Sequence, residues 1–341
     1  MEQNEQPKRK KRIWLIILLV LLALILSAVI GVIAYVEKTL NLMNRNPDDS
    51  TISPSEYEEF MKEETQDNNF TGETINPEDV DWNVSTEPAV DQSHIINLML
   101  IGQDRRPGER RARSDVMLLC TINTETKELT LTSFMRDLYV PIPGYQDNRM
   151  NACYAFAGMK LLNKCMENNF GVLVDGNLEV DFDGFKNVID VMGGVDIELS
   201  NSEANHLIAK GHSAVAGMNH LDGAAALTYA RNRSVGNSDF SRTARQRKVI
   251  TALVNKSRSL NLSQANALVQ QILPLITTDM TNREILDYTI KLLPLLKDLK
   301  INTQQIPAAG TFKYASVRGM SVLVPDLAAN RAIMDKIMDK E

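Results

Sequence analysis

Few side chains here could cross-link the fold or hold a transition metal. Cys120, Cys153 and Cys165 are odd in number and show no paired spacing, which argues against a disulfide framework. Cys120 lies inside an apolar run and reads as a small buried hydrophobe. His94, His206, His212 and His220 form no HExxH or other ligand spacing, so zinc chemistry is not expected. No internal repeat is visible, which argues against a solenoid or propeller. Positive charge is also in deficit: 37 Lys and Arg face 43 Asp and Glu, a formal net charge of −6. The basic residues that are present are therefore informative where they gather.

They gather first at the N-terminus. "PKRKKR" (7–12) precedes residues 13–36, a run without one charged side chain. At about 1.5 Å per residue it extends roughly 36 Å, enough to cross a hydrocarbon core of ~30 Å. The run exceeds a signal-peptide core, and no A-x-A-like site follows directly, so a retained single-pass transmembrane anchor is expected. The positive-inside rule places residues 1–12 in the cytoplasm and everything after 36 outside the membrane. Residues 37–93, rich in acid, Asn, Thr and Pro, read as an extended acidic stalk, with a short helix from about Ser53 to Glu64. Residues 94–341 are expected to form one globular domain. A DNA-contacting domain cannot lie outside the membrane, so no nucleic-acid partner is expected.

Within that domain, strands are expected at 95–101, 116–122, 128–134, 178–182 and 195–199, with "NTETK" joining the second and third as a hairpin. Helices are expected at 151–168, 183–192, 222–230, 241–258, 263–276, 282–297 and 327–338, with a closing hairpin over 307–326. Strands interspersed with helices predict an α/β fold, a mixed sheet covered by helices in a three-layer αβα sandwich.

Positive charge gathers again in "GQDRRPGERRARSD" (102–115), where two aspartates eleven positions apart bracket five arginines. A solvated charged loop would suffice to explain it. A phosphate site would also fit, with Arg gripping oxygens and Asp holding a divalent cation. Three further arginine-bearing segments sit at the edges of apolar elements: Arg136-Asp137 after a strand, Arg231 and Arg233 in "LTYARNR", and Asp239, Arg242, Arg245 and Gln246 in "DFSRTARQRKV". If Arg231 and Arg233 lie in extended chain, both point the same way. Converging arginines repel unless a polyanion joins them, and a diphosphate matches guanidinium forks.

The stretches "INLMLIGQDRR…RARSDVMLLCTIN", "LTSFMRDLYVPIPG", "RMNACYAFAG", "VDFDGFKNVIDVMGGVDIEL", "GMNHLDGAAALTYARNR" and "DFSRTARQRKV" occur in the order of the LytR-CpsA-Psr family, which this chain closely resembles over roughly 94–250. The resemblance implies a cell-wall phosphotransferase that takes a glycopolymer from a polyprenyl-pyrophosphate carrier and joins it to peptidoglycan through a phosphodiester. It implies Asp104 and Asp115 as ligands of Mg²⁺ (or Mn²⁺). It further implies Arg113, Arg136, Arg231, Arg233 and Gln246 as pyrophosphate contacts, with Asp104, Asp115, Arg136, Arg231 and Arg233 carrying the catalysis. Two positions depart from the family pattern: Gln103 stands where a small or aliphatic residue is usual, and Met135 replaces a proline. Arg105, Arg106, Arg110 and Arg111 read as loop residues near the acceptor. The prenyl chain requires an apolar tunnel, for which the helices carrying "FAGMKLL" and "FDGFKNVIDVM" supply residues. Two alternatives use the same features: hydrolysis of the lipid-linked diphosphate, and a non-catalytic cell-wall regulatory role.

Overall fold

The apolar run at residue 95 becomes the middle of the main sheet. In the computed structural model, which describes residues 30–45, 49–64, 73–80, 92–103, 111–236 and 238–339 together with Ser27, Trp82 and Ala89, Ile95–Gln103 (β2) pairs antiparallel with Ser114–Asn123 (β3) and parallel with Gly176–Asp181 (β7). Asn123 turns β3 into antiparallel Glu128–Phe134 (β4), its side-chain oxygen accepting from the backbone N–H groups of Glu125 and Thr126. Thr277–Thr278 (β10) closes one edge antiparallel to β7. Lys300–Ile306 (β11) closes the other parallel to β4, giving the order β10-β7-β2-β3-β4-β11.

Alternation along β2 sends Ile95, Met99 and Ile101 to one face and Ile96, Leu98 and Leu100 to the other. The first face packs against Met150–Phe170 (α2) and Leu327–Ile337 (α9), the second against Ser238–Ser257 (α6) and Asn282–Leu292 (α8). The mixed sheet lies between helices. Cys120 lies on the second face, and burial pushes its thiol up to about 12. α2 is kinked at Ala157 and Gly158, where Gly158 takes φ 65°.

The segment read as an extended spacer is in part packed on this domain. Pro54–Glu64 (α1) forms near the expected bounds, and Tyr57 and Phe60 meet Phe156 edge-on with ring centroids 5.1 and 5.0 Å away. Trp82 stacks on Tyr139 and donates to Asp147 at 3.0 Å. Glu73–Thr74 (β1) joins Phe312–Val317 (β12) and Met320–Pro325 (β13) in a three-stranded sheet. A few aromatic anchors suffice to dock a segment whose composition is otherwise that of a linker. Of the expected membrane span 13–36, only Ser27 and 30–36 are described, all helical; the remainder, like the basic tail, lies outside the described residues. No helix among the described residues is long and apolar enough to cross a membrane.

The elements between β7 and α6 flank the second face. Phe182–Val191 (α3) follows β7, and Val195–Leu199 (β8) pairs with Gly217–Leu221 (β9) around Asn201–Ala209 (α4). Gly223–Arg231 (α5) then crosses α3. A Cβ at Gly223 would sit 2.2 Å from the Lys186 carbonyl oxygen, so only glycine permits this approach. Tyr139–Val140 (β5) pairs with Asn148–Arg149 (β6). Two features correct the sequence reading. β11 was missed because "KINTQQI" carries few apolar residues, as an edge strand can. A short repeat was also missed: Asn261 with Gln264, and Thr281 with Glu284, form capping boxes that open Leu262–Ile272 (α7) and α8, and each helix runs into a Leu-Pro-Leu 3₁₀ turn. One copy precedes β10 and the other β11, so the same device serves both sheet edges.

α1 docking depends on Glu64, buried to 4% exposure and ion-paired with Arg149 at 3.0 Å and Arg113 at 2.9 Å. Removing one partner of a buried pair strands the others, at a cost of about 3–5 kcal/mol. Glu64→Ala should lower stability by that order in urea unfolding. Asp298→Ala, which breaks an exposed pair with Lys127, should change it by less than about 1 kcal/mol. Equal, small effects would show that α1 is not docked as described.

Candidate active site

The chemistry-bearing residues are aimed by the ends and irregularities of β3, β4, α5 and α6. Gly102 pairs with Val116 but Gln103 with Ser114, so Asp115 is the extra residue of a β-bulge. Asp115 accepts from Arg136, the second residue beyond β4, at 3.0 Å. Arg136 also faces Asp137 at 3.4 Å and Asp239, in the first turn of α6, at 3.8 Å. Asp239 in turn meets Arg233 at 3.1 Å and Arg242 at 3.6 Å. Three carboxylates and three guanidiniums thus form one half-buried cluster.

The cluster sets its own protonation. Burial opposes the charge on Arg136, but Asp137, Asp115 and Asp239 outweigh it and hold the guanidinium above its ordinary value. Burial and the Asp239 carboxyl push Asp137 up against the pull of Arg136 and Arg149. Asp239 is also buried, yet Arg242, a hydrogen bond from Asp137, Arg233 and Arg136 hold it low. Of the two carboxyls, Asp137 is the one biased toward its protonated form. Burial is the main influence lowering Arg242. Carboxylate oxygens are hard donors of the kind that suits Mg²⁺ or Mn²⁺. Among the described residues no group of three ligands is assembled, and Asp104, with Arg105, Arg106 and Arg110, lies outside them.

Beside the cluster an apolar tunnel of about 160 Å³ runs between the second sheet face and α3, α5 and α6. Leu100, Leu118, Leu178, Phe185, Val188 and Leu253 line it, and Arg231 and Gln246 stand among its few polar residues. The expected tunnel helix "FDGFKNVIDVM" is α3 and does line it. "FAGMKLL" belongs to α2, which is buried in the core of the opposite face. Arg231 ends α5, and Asn232 then turns extended, so the expected parallel pair of guanidiniums is corrected. Arg231 lies over the Phe182 ring at 4.1 Å, whereas Arg233 reaches Asp239. Both still border one open cleft with His206, Lys210 and Thr228.

Arg113 does not join them; it pairs with Glu63 and Glu64 and covers Phe60, facing α1. Arg111 donates to the Ala155 and Ser50 carbonyls. The unusual Gln103 is buried and donates to Glu179, which Tyr154 also holds, while its oxygen accepts from Ala112 N–H at 3.1 Å. Its size is thus matched by a buried carboxylate. Sequence reasoning noted Asp137, Asp239 and Arg242 beside the chosen residues but did not place them at the centre. Arg245 is a positioning residue: it binds Glu203 at 2.8 Å and the Asn232 and Val235 carbonyls, pinning the loop that carries Arg233.

A model of the LytR_cpsA_psr family matches residues 55–337, beginning within α1. A Bacillus mycoides (strain KBAB4) protein, polyisoprenyl-teichoic acid–peptidoglycan teichoic acid transferase TagU, is 30% identical over 262 residues, covering 76% of this chain and 83% of its own. The crystal structure of Bacillus subtilis TagT is similar at TM-score 0.59 and 26% identity, over 73% of this chain and 91% of that one. So is a structure of TagT bound to LI-WTA, at TM-score 0.59 and 26% identity, over 72% and 92%.

The Asp137 shift fixes a direction with pH. Its folded pKa is raised, so its contribution is fully present below the unfolded value near 3.9 and is lost as pH rises through the folded value. Asp239, shifted down, makes its contribution above the unfolded value and loses it only in stronger acid. Unfolding free energy should therefore carry a downward slope above pH 4 that Asp137→Asn removes. An unchanged slope in that variant would show that Asp137 does not hold the proton.

Proposed function

The chain belongs to the LytR_cpsA_psr family, and from that premise we propose that it is the phosphotransferase that moves a glycopolymer from a polyprenyl-pyrophosphate carrier to peptidoglycan. One observation carries the reading at this site: the apolar tunnel and the basic cleft share a wall, Leu227 and Arg231 of α5. A substrate with a long hydrocarbon, a diphosphate and a sugar has the polarity sequence that this wall divides. An apolar cavity of 160 Å³ forgoes roughly 4 kcal/mol of packing at about 24 cal/mol per Å³. A prenyl chain restores that contact, at about 0.8 kcal/mol per buried methylene.

The reaction follows from the charges. An acceptor hydroxyl of peptidoglycan attacks the sugar-linked phosphorus, the new P–O bond forms, and the bond to the bridging oxygen breaks. Polyprenyl phosphate leaves with the electron pair, and a site aspartate takes the hydroxyl proton. Phosphoryl transfer needs positioning and charge neutralisation more than covalent help. Arg136, Arg231 and Arg233 hold the diphosphate, with Gln246 at the tunnel side. Asp104 and Asp115 would hold Mg²⁺ or Mn²⁺, which supplies further neutralisation of the phosphate charge. Residues 13–36 anchor the protein in the cell membrane with the catalytic domain outside.

Transfer of labelled glycopolymer to peptidoglycan, with release of polyprenyl phosphate, tests the reading on the full chain. Product formed equally well without peptidoglycan would favour hydrolysis instead. Arg231→Ala should weaken donor binding by about 1.5–3 kcal/mol, the scale of a charge-assisted hydrogen bond; unchanged affinity in Arg231→Ala and Arg233→Ala combined would remove the clamp. Asp115→Asn separates metal binding from the ion pair with Arg136. Lost activity at a retained melting temperature supports the metal role, and a large loss of stability with Mg²⁺-dependent activity intact rules it out.

A further inference from the structure

The β10 edge gathers three features that the transfer chemistry does not use. The first is an attachment of the N-terminal chain. Asn44 bridges to Thr277, its N–H donating to the Ile276 carbonyl and its own carbonyl accepting from Thr278, each at 3.0 Å. Arg45 donates to the Met280 carbonyl and to the side chain of Asn282, where α8 begins, and Met43 is buried. The second is an apolar stripe turned outward. Leu286, Ile290 and Leu293 recur at i, i+4 and i+7 along α8 and its Leu-Pro-Leu turn, 38%, 63% and 62% exposed. Tyr288 and Leu292 of the same helix pack inward on the sheet. The third is a surface without charge. No Asp, Glu, Lys or Arg occurs between Arg258 and Asp279, in a chain that is 23% charged. Yet Gln264, Asn266, Val269 and Gln270 of α7, which leads into β10, are exposed. A helix that faces only water ordinarily carries charge on that side.

Tether length selects the occupant. With residues 13–36 as the anchor, the helix continues only from 36 to 40, about 6 Å, and four further residues reach Asn44, at most about 14 Å. The β10 edge is therefore held within about 20 Å of the hydrocarbon, and headgroups fill the first ~5–7 Å of that distance. Leu286 lies one turn from Asn282, and Leu293 about 17 Å along the axis. An apolar stripe that starts at the tether point meets lipid before any other partner. We propose that the outer faces of α8 and α7 rest on the bilayer, with Leu286, Ile290 and Leu293 seated at the boundary of headgroups and acyl chains. The domain is then held on the membrane in one orientation instead of swinging on a linker. The inference rests on the anchored reading above and adds a second contact to it. Ile208, Val215 and Met218 are comparably exposed but lie in α4 and the chain after it, away from β10, and serve as the control.

The test uses the full chain in vesicles of phosphatidylglycerol and phosphatidylcholine, with a polarity-sensitive fluorophore on Ile290→Cys or on Val215→Cys. Both positions are exposed, and the wild type, whose Cys153 and Cys165 are buried, sets the labelling background. Co-flotation with the vesicles reports the anchor separately. The label at position 290 should shift to the blue and lose intensity when the vesicles carry a nitroxide lipid, while the label at 215 does neither. Adding Leu286→Ser and Leu293→Ser should cancel the shift at 290; its persistence would show that the probe alone seeks lipid and would overturn the inference. An unshifted, unquenched label at 290 in protein that co-floats overturns the lipid contact and leaves the anchor standing. Protein that does not co-float removes the anchor and the inference with it. Equal quenching at 290 and 215 overturns the preferred face. Protection at 290 that grows with protein density, without quenching by lipid, assigns the face to a second copy and likewise overturns the proposal.

Discussion

Arg136 is the point on which the site depends. Its guanidinium joins Asp115 from the β3 bulge, Asp137 from its own strand end, and Asp239 from the first turn of α6. Those three carboxylates come from distant parts of the chain and would repel one another without it. Arg136 therefore makes a carboxylate-rich site compatible with a stable fold, and the carboxylates in turn keep a half-buried cation charged. Arg233 and Arg242 extend the alternation of sign through Asp239. Each of these arginines is thus already partnered by a carboxylate.

The division of labour between the sheet faces follows from the same geometry. One face is filled by α2 and α9 and includes the aromatic anchors of α1. The other is left underfilled where α3, α5 and α6 meet, and Gly223 sets how closely two of those helices approach. The larger buried cluster lies on the side without the tunnel. The other side retains an apolar void.

Much of this was legible in sequence because the signals were local. The apolar run that becomes β2 and the turn that begins at Asn123 each act within a few positions. The six ordered stretches carried the family resemblance, and the resemblance implied the chemistry. What was not legible depended on distant partners. "KINTQQI" becomes a strand only because β4 offers it an edge, and Arg113 turns from the Arg136 cluster because Glu63 and Glu64 lie beside it. The capping box of α4, Ser200 with Glu203, was present and could have been read. The acidic composition of 37–93 concealed Tyr57, Phe60 and Trp82, which dock it. Arg231 and Arg233 were taken as one extended pair when a helix end separates their directions.

The parallel pairing of β11 with β4 has a consequence for how the molecule is made. Lys300 pairs with Glu128 and Ile306 with Phe134, so the sheet cannot be completed until nearly the whole chain has been delivered. Contacts so remote in sequence form slowly. In the interval β4 presents an open edge, the kind of surface to which another chain can add. That interval is set by the rate at which the C-terminal part of the chain is supplied. Crowding of nascent copies would then show itself first at this edge.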